Sequence, residues 1–146
     1  GYDRILLYQM IEGESMKVPG CVFCEMPSTA YVIENDFFFG LFDKYPVTEG
    51  HMLIIPKRHA ETLFELTSDE RKSLFQLIED GTALLEKKFK PTGFNFGVNQ
   101  GLAAGQTIPH LHLHIIPRYE GDMADPEGGV RGVIPEKQKY RHKMKE

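Results

Sequence analysis

A strict alternation of histidine and apolar residues runs from His110 to Ile116, reading His-Leu-His-Leu-His-Ile-Ile. Successive side chains of a strand point to opposite faces, so a strand over 109–117 would hold its histidines in one row and its leucines in the core. A single histidine is usually a packing residue, but a row of three is not. Imidazole can attack phosphorus to give a reactive phosphoramidate, and it is also the commonest metal ligand. The alternation therefore predicts a chemical or a metal-binding face.

The segments around this row predict an α+β domain. Apolar and aromatic runs indicate a hairpin over 31–42 and strands over 52–55, 94–99 and 109–117. A helix is predicted to start at the capping box Thr67-Ser68-Asp69-Glu70 and to stop before Pro91, with an apolar stripe of Leu74, Phe75, Ile78, Leu85 and Phe89. Strands on both sides of one long helix predict an antiparallel sheet that the helix covers on one face.

The length of 146 residues suits a single domain over 1–146. Two end segments differ in composition from the rest of the chain. We expect an N-terminal arm over 1–20, and a C-terminal tail over 119–146 that is rich in Gly, Pro and charged residues.

Charge and hydropathy exclude several classes of partner. The net charge is −4, and residues 131–146 carry six Lys or Arg against two Glu, which leaves −8 on the rest of the chain. Duplex nucleic acid needs a basic face on the folded body, so it is not expected as a partner; the basic end is either a solvated face or a holder of an anion. The chain has neither an apolar run of roughly 18–20 residues nor a secretory signal, so we expect no membrane association and a cytoplasmic location.

The only cysteines are Cys21 and Cys24, which are too few for a disulfide framework. Two thiolates three positions apart can form half of a tetrahedral zinc site. A redox pair and two metal-free thiols are the alternatives. The redox interpretation is the weaker one, because the pair lacks the preceding buried strand and the parallel-sheet pattern expected of redox motifs.

The alternation from His110 to Ile116 resembles the signature of the histidine-triad (HIT) superfamily of nucleotide hydrolases and transferases. The resemblance runs from about Cys21 to Arg118. It includes Gly50-His51 through His59, Asn99, and Gly105-Gln106-Thr107. It implies an antiparallel half-barrel with one long helix packed on it, usually as a homodimer.

The resemblance also implies roles for individual residues. His112 would be the nucleophile at the α-phosphorus of a nucleotide, forming a nucleotidyl-imidazole that water then cleaves, and His114 would donate to the phosphate or its leaving bridge. Gln106 would contact the reacting phosphate and help to orient the second nucleophile. The expected substrate contacts are Asp43, at the ribose hydroxyls, with His51, Asn99, Gln106 and Thr107. If the histidines are left aside, Asp43 is interpreted as an acidic turn residue and Asn99 as the cap of a strand. Gln106 and Thr107 then belong to an ordinary polar loop.

Members of the superfamily that carry Cys-x-x-Cys complete a zinc site with two histidines, which correspond here to His59 and His110. The resemblance thus implies one structural zinc ion per chain, held by Cys21, Cys24, His59 and His110. The other two histidines of the alternation remain available for chemistry.

The predicted function is hydrolysis of a dinucleoside polyphosphate or a nucleoside phosphoramidate. Nucleotidyl transfer or phosphorolysis within the same superfamily is one alternative, and a non-catalytic nucleotide-binding protein that signals through partners is another. The sugar-1-phosphate uridylyltransferase branch typically begins its motif His-Pro-His and has Gln at the third position. Leu111 and His114 depart from that pattern and favour the hydrolase.

Overall fold

The computed structural model describes residues 16–140, so the predicted N-terminal arm lies mostly outside the described residues, as does the end of the tail. The regular elements are the strands β1 (Ile33–Glu34), β2 (Phe38–Phe42), β3 (Met52–Pro56), β4 (Gly93–Gly97) and β5 (Leu113–Arg118), and the helix α1 (Ser68–Phe89). The strands form one open antiparallel sheet in the order β1-β2-β3-β5-β4. The predicted α+β class and the half-barrel type of sheet are confirmed.

The capping box starts α1 as predicted. The Thr67 hydroxyl accepts the backbone N–H of Glu70 at 3.1 Å, and the Glu70 carboxylate accepts the backbone N–H of Thr67 at 2.8 Å. Glu70 is buried and also accepts two hydrogen bonds from the guanidinium of Arg58, at 2.7 and 3.0 Å. The helix ends at Lys90, which adopts a left-handed conformation just before Pro91. The start of α1 is thereby tied to the loop that follows β3.

The buried face of α1 differs in part from the predicted stripe. Phe75 is 65% exposed, so its assignment to the core was wrong. A helix turns about 100° per residue, which carries Phe75 away from the face on which Leu74 lies. The buried positions are Glu70, Leu74, Leu77, Gly81 and Leu85. A Cβ at Gly81 would lie 3.2 Å from the Met52 sulfur, so the small residue lets the helix approach β3 closely.

The sheet has a buried core on each face. On one face Phe38, Met52, Ile54 and Ile115 pack against α1. On the other face Phe39, Leu41, Leu53 and Ile55 are covered by Phe23 and its neighbours in the segment before β1. The histidine of β5, His114, pairs with Leu53 in the ladder and belongs to this second face.

The last strand begins later than predicted, at Leu113 instead of about residue 109, so the placement of His110 and His112 on it was wrong. The backbone N–H of His110 donates to the Ile108 carbonyl, and that of Leu111 donates to Ala60. These peptides bond to loops and not to a neighbouring strand. Two of the three histidines in the predicted row still lie side by side, because the ring centroids of His112 and His114 are 5.4 Å apart.

The described part of the tail forms short 3₁₀ turns at Gly129–Val133 and Pro135–Lys137. Arg131 donates to the carbonyls of Lys137 and Gln138, and its guanidinium lies over the Tyr140 ring. The tail is therefore held by its own hydrogen bonds. Within residues 16–140, no helix has the length and apolar character needed to cross a bilayer.

Replacing Thr67 by Ala should lower the free energy of unfolding by about 1 kcal/mol, because the N-cap hydroxyl is lost. Urea denaturation monitored by circular dichroism measures the effect. Thr67→Ser keeps the hydroxyl and should retain most of the stability; an equal loss in both variants would show that the cap does not stabilise α1.

Candidate active site

The loop between β2 and β3 brings Asp43 and His51 together. The backbone N–H of Asp43 donates to the His51 carbonyl at 2.8 Å, which continues the antiparallel pairing that ends at Phe42 and Met52. Directly opposed residues place their side chains on the same face of a sheet. Asp43 Oδ2 accordingly lies 3.4 Å from His51 Nε2.

Gly50 determines how the chain enters β3. Its φ is +88°, a left-handed value that disfavours residues with a Cβ. A Cβ at this position would also lie 2.8 Å from the Phe89 ring at the end of α1. Glycine therefore allows the loop to pass close to the helix and to deliver His51 to the site.

His51 is buried, and both of its ring nitrogens have partners inside the protein. Its Nδ1 accepts the backbone N–H of Val47 at 3.0 Å, so this nitrogen carries the lone pair. The proton of the neutral ring is then on Nε2, which lies 2.9 Å from His114 Nδ1. Burial lowers the pKa of His51, and the carboxylate of Asp43 opposes this shift, so the net direction favours the neutral ring.

The tautomer of His114 follows from its contact with His51. Burial lowers the pKa of His114, and the neighbouring His51 and His112 lower it further. A neutral ring that accepts a hydrogen bond at Nδ1 carries its proton on Nε2. His114 therefore presents an N–H donor from its other edge.

His112 has the opposite tautomer. Its Nδ1 lies 2.9 Å from the backbone carbonyl of His110, which can only accept, so Nδ1 carries the proton and Nε2 the lone pair. The ring packs against Phe23, with centroids 5.3 Å apart. A nucleophilic nitrogen on His112 thus stands beside an N–H donor on His114, which is a pair suited to displacement at phosphorus.

A second cluster unites the four residues that the resemblance implied as metal ligands. The ligand atoms of Cys21, Cys24, His59 and His110 all lie within 4.8 Å of one another. The Sγ of Cys24 is 3.3 Å from His59 Nδ1 and 3.5 Å from His110 Nδ1, and the Sγ of Cys21 is 3.3 Å from His110 Nδ1. Ligands bound to one tetrahedral zinc at about 2.1–2.3 Å are roughly 3.6 Å apart, so these separations fit a metal.

The protonation chemistry of the cluster also fits a metal. His110 Nε2 lies 2.8 Å from the Pro56 carbonyl, so Nε2 carries the proton and the Nδ1 lone pair faces the sulfurs. Burial lowers the pKa of His110 to about 4, which keeps it neutral, as a metal ligand must be. Burial raises the pKa of the Cys24 thiol to about 11, so a bound cation would have to stabilise its thiolate. These four residues can hold a metal ion.

Gln106 lies on the loop between β4 and β5, and its side chain shapes that loop. Its amide oxygen accepts the backbone N–H of Gly101 at 2.9 Å, and its amide nitrogen donates to the Glu61 carbonyl at 2.9 Å. Gln100 holds the same loop to Leu63, whose backbone N–H it accepts at 3.1 Å. An amide group carries two N–H donors, so Gln106 keeps one beyond the bond to Glu61.

Asn99 lies near the start of this loop and Thr107 directly follows Gln106, and both are exposed. The structure thus brings four of the candidate residues into contact, namely Asp43, His51, His112 and His114. It sets Asn99, Gln106 and Thr107 on one neighbouring loop.

Sequence reasoning missed the groups that orient the imidazoles. Phe23 contacts both His110 and His112, and its position inside the Cys-x-x-Cys segment was the available signal. The other orienting groups are the backbone N–H of Val47 and the carbonyls of Pro56 and His110. Backbone groups carry no residue signature, so only the fold could reveal them.

A model of the HIT domain matches residues 25–121 of the chain. The chain belongs to the HIT family. The match covers the sheet, α1 and both histidine segments, and begins just after the two cysteines.

Related chains agree with this assignment. A Bacillus subtilis relative named Protein hit is 39% identical over 108 residues, covering 70% of this chain and 74% of the relative. A crystal structure of a HIT family protein from Bacillus anthracis superposes with a TM-score of 0.66 at 34% identity, covering 73% of this chain and 78% of that one. A zinc-bound histidine-triad family protein from Mycobacterium smegmatis superposes with a TM-score of 0.59 at 30% identity, covering 78% and 90%.

Two similar proteins carry names of enzymes. The asymmetrical bis(5'-nucleosyl)-tetraphosphatase of Schizosaccharomyces pombe is 40% identical over 80 residues, covering 55% of this chain and 44% of the enzyme. The AP-4-A phosphorylase of Mycobacterium tuberculosis is 30% identical over 110 residues, covering 71% and 56%. The HIT family thus includes proteins named for hydrolysis and for phosphorolysis of dinucleoside polyphosphates.

Replacing Cys24 by Ser should remove most of the bound metal and lower the thermal unfolding temperature by several degrees, because a closed four-ligand site loses a thiolate. Elemental analysis after extensive dialysis, together with calorimetry, measures both effects. The exposed Ser28 serves as the control, since Ser28→Ala leaves the ligand set intact. A wild-type protein that is stable and free of metal would contradict the assignment.

Proposed function

We propose that this HIT protein is a nucleotide hydrolase that cleaves at the α-phosphate of a dinucleoside polyphosphate or a nucleoside phosphoramidate. The observation that carries the proposal is the geometry of the histidine pair: His112 Nδ1 lies 2.9 Å from the His110 carbonyl, and His114 Nδ1 lies 2.9 Å from His51 Nε2. In neutral rings these contacts leave a lone pair on His112 Nε2 and a proton on His114 Nε2. Membership of a family with named dinucleoside polyphosphate enzymes supports the same chemistry.

In the first step, the Nε2 of His112 attacks the α-phosphorus. A P–N bond forms, the bond from phosphorus to the leaving group breaks, and the leaving group departs with the electron pair, a polyphosphate as its anion and the nitrogen of a phosphoramidate as an amine that takes a proton from solvent. The Nε2–H of His114 donates a hydrogen bond to the departing atom and stabilises its developing negative charge. The proton of His112 stays on Nδ1, where it is hydrogen-bonded to the His110 carbonyl. Once Nε2 is bonded to phosphorus, the ring is therefore a cationic nucleotidyl-imidazolium.

In the second step, water attacks the same phosphorus and loses a proton to solvent, and the P–N bond breaks with its electron pair returning to His112 Nε2. The nucleoside monophosphate is released and His112 regains its lone pair. Gln106 is proposed to contact the reacting phosphate through its second amide N–H, beside the backbone donors of the loop. Asn99 and Thr107 are proposed as further contacts from the same loop.

Asp43 is proposed to bind the ribose hydroxyls, since a carboxylate has two acceptor oxygens for two donors. It lies beside the histidine pair, next to His51. His51 itself was predicted as a substrate contact. Its burial and its two internal partners support a role through His114 instead of direct contact.

Zinc is the metal proposed for the cluster of Cys21, Cys24, His59 and His110. Two sulfur and two nitrogen ligands suit tetrahedral zinc, and the M. smegmatis relative is zinc-bound. Four protein ligands leave no open position, so the ion would stabilise the fold and would take no part in the displacement.

We also propose that the protein works as a homodimer in the cytoplasm. The edge strand β4 offers a surface for a second copy, since Phe96 is 46% exposed there. Gel filtration with light scattering gives the oligomeric state.

Phosphorolysis is the second candidate, because the M. tuberculosis relative is named a phosphorylase. The discriminating experiment incubates the protein with diadenosine polyphosphates and with adenosine phosphoramidate, with and without inorganic phosphate. A hydrolase releases AMP in either case, and ¹⁸O from labelled water enters the product. Phosphate-dependent formation of ADP would identify a phosphorylase, and the absence of turnover on every substrate would indicate a non-catalytic nucleotide-binding protein.

His112→Ala should abolish the covalent intermediate and lower kcat by roughly 10³-fold or more, because it removes the attacking nitrogen. His114→Ala should still form the intermediate, at a rate lower by about 10²-fold. Rapid quench with nucleotide labelled in the α-phosphate measures both variants. Label that is still trapped on the His112→Ala protein would refute the nucleophile.

A further inference from the structure

The two-step mechanism leaves His51 without a role, although its Nε2 lies against both Asp43 and His114. The ligand atoms of these three residues lie within 4.8 Å of one another. His51 is 3% exposed, and the side chain of Asp43 is 17% exposed. The cluster therefore reaches from the buried side of the sheet to the edge where a sugar would bind.

One proton on His51 faces both neighbours. Val47 donates to Nδ1, which leaves the Nε2–H as the only donor of the neutral ring. That nitrogen lies 2.9 Å from His114 Nδ1 and 3.4 Å from Asp43 Oδ2. The Nε2–H of His51 consequently has two possible acceptors, the Nδ1 lone pair of His114 and the carboxylate of Asp43.

We propose that His51 is a positioning residue that couples sugar recognition by Asp43 to the hydrogen-bond donor on His114. Sugar hydroxyls that donate to Asp43 occupy its acceptor oxygens and weaken its pull on the His51 proton. The proton is then given more fully to His114 Nδ1, which holds His114 with its own N–H directed at the leaving group. This inference rests on the proposed function, because it assigns Asp43 to the sugar and His114 to the leaving group.

The tautomers can be tested without any substrate. Long-range ¹H–¹⁵N correlation spectra of the purified protein distinguish protonated from unprotonated ring nitrogens. The expected pattern is Nε2–H on both His51 and His114, with a lone pair on each Nδ1. A proton on His114 Nδ1 would overturn the inference whatever the enzyme activity.

The kinetic test uses two aryl esters of AMP that differ only in their leaving group. Phenolate is a stronger base than 4-nitrophenolate and depends more on a hydrogen-bond donor as it departs. His51→Leu should therefore lower kcat for the phenyl ester by about tenfold more than for the nitrophenyl ester. His51→Gln keeps an N–H near His114 and should recover part of the difference.

The matched control is Thr48→Val. Thr48 belongs to the same loop and donates to the Pro117 carbonyl at 2.6 Å, without touching the imidazoles. Its loss should loosen the loop and affect both esters equally. If His51→Leu also lowers kcat equally for both esters, His51 has only a structural role and the proposal is overturned.

The coupling to the sugar is measured with the 2′-deoxy form of the phenyl ester. In the wild type, loss of the 2′-hydroxyl should lower kcat as well as raise KM, whereas in His51→Leu only KM should change. A kcat effect of the same size in both proteins would overturn the coupling. If the wild type turns over neither these esters nor the diadenosine polyphosphates and adenosine phosphoramidate, it is the proposed function that fails, and the tautomer spectra still decide the arrangement of the histidines.

Discussion

Three imidazoles at the site each have one ring nitrogen bound to the main chain, and this constraint sets the chemistry of the whole face. The N–H of Val47 binds His51, and the carbonyls of Pro56 and His110 bind His110 and His112 respectively. A backbone N–H can only donate and a carbonyl can only accept, so each contact decides which nitrogen holds the proton. Similar side chains thereby differ in which nitrogen accepts and which donates, and this suits the roles proposed for them: metal ligand for His110, nucleophile for His112 and donor to His114 for His51.

His110 joins the cluster of Cys21, Cys24 and His59 to the pair formed by His112 and His114. Its side chain faces Cys21 and Cys24, while its carbonyl holds the proton of His112. An ion at the cluster would crosslink the segment before β1, the loop after β3 and the start of the β5 segment. Movement of His110 would turn the His112 ring, so a structural metal here would also stabilise the tautomer of His112, the proposed nucleophile.

The sheet and the helix could be predicted from the sequence, because hydrophobic periodicity and capping are local signals. The two histidine segments could be read from it directly. Prediction failed where local signals are ambiguous. Alternation of polar and apolar residues describes an extended loop as well as a strand, so the start of β5 was placed too early. Phe75 looked like a core residue from its type alone, while Gly81 became a core position through close packing against Met52. The cluster of cysteines and histidines was predictable only through the family resemblance, since the ligands are far apart in the chain.

The loop between β4 and β5 shows how the remaining part of a phosphate site can be prepared in advance. Gly101 and Gly105 both have positive φ, at +93° and +90°, and Gln106 spans the loop through its side chain and its backbone N–H. Donors fixed before the substrate arrives need no reorganisation as charge develops on the phosphate oxygens. Because Gln106 is also bound to the carbonyl of Glu61, next to the metal-ligand segment, the loop depends on the same framework that holds the imidazoles. The proposed nucleophile His112 and the proposed phosphate contact Gln106 are therefore both oriented by hydrogen bonds from their side chains to the main chain.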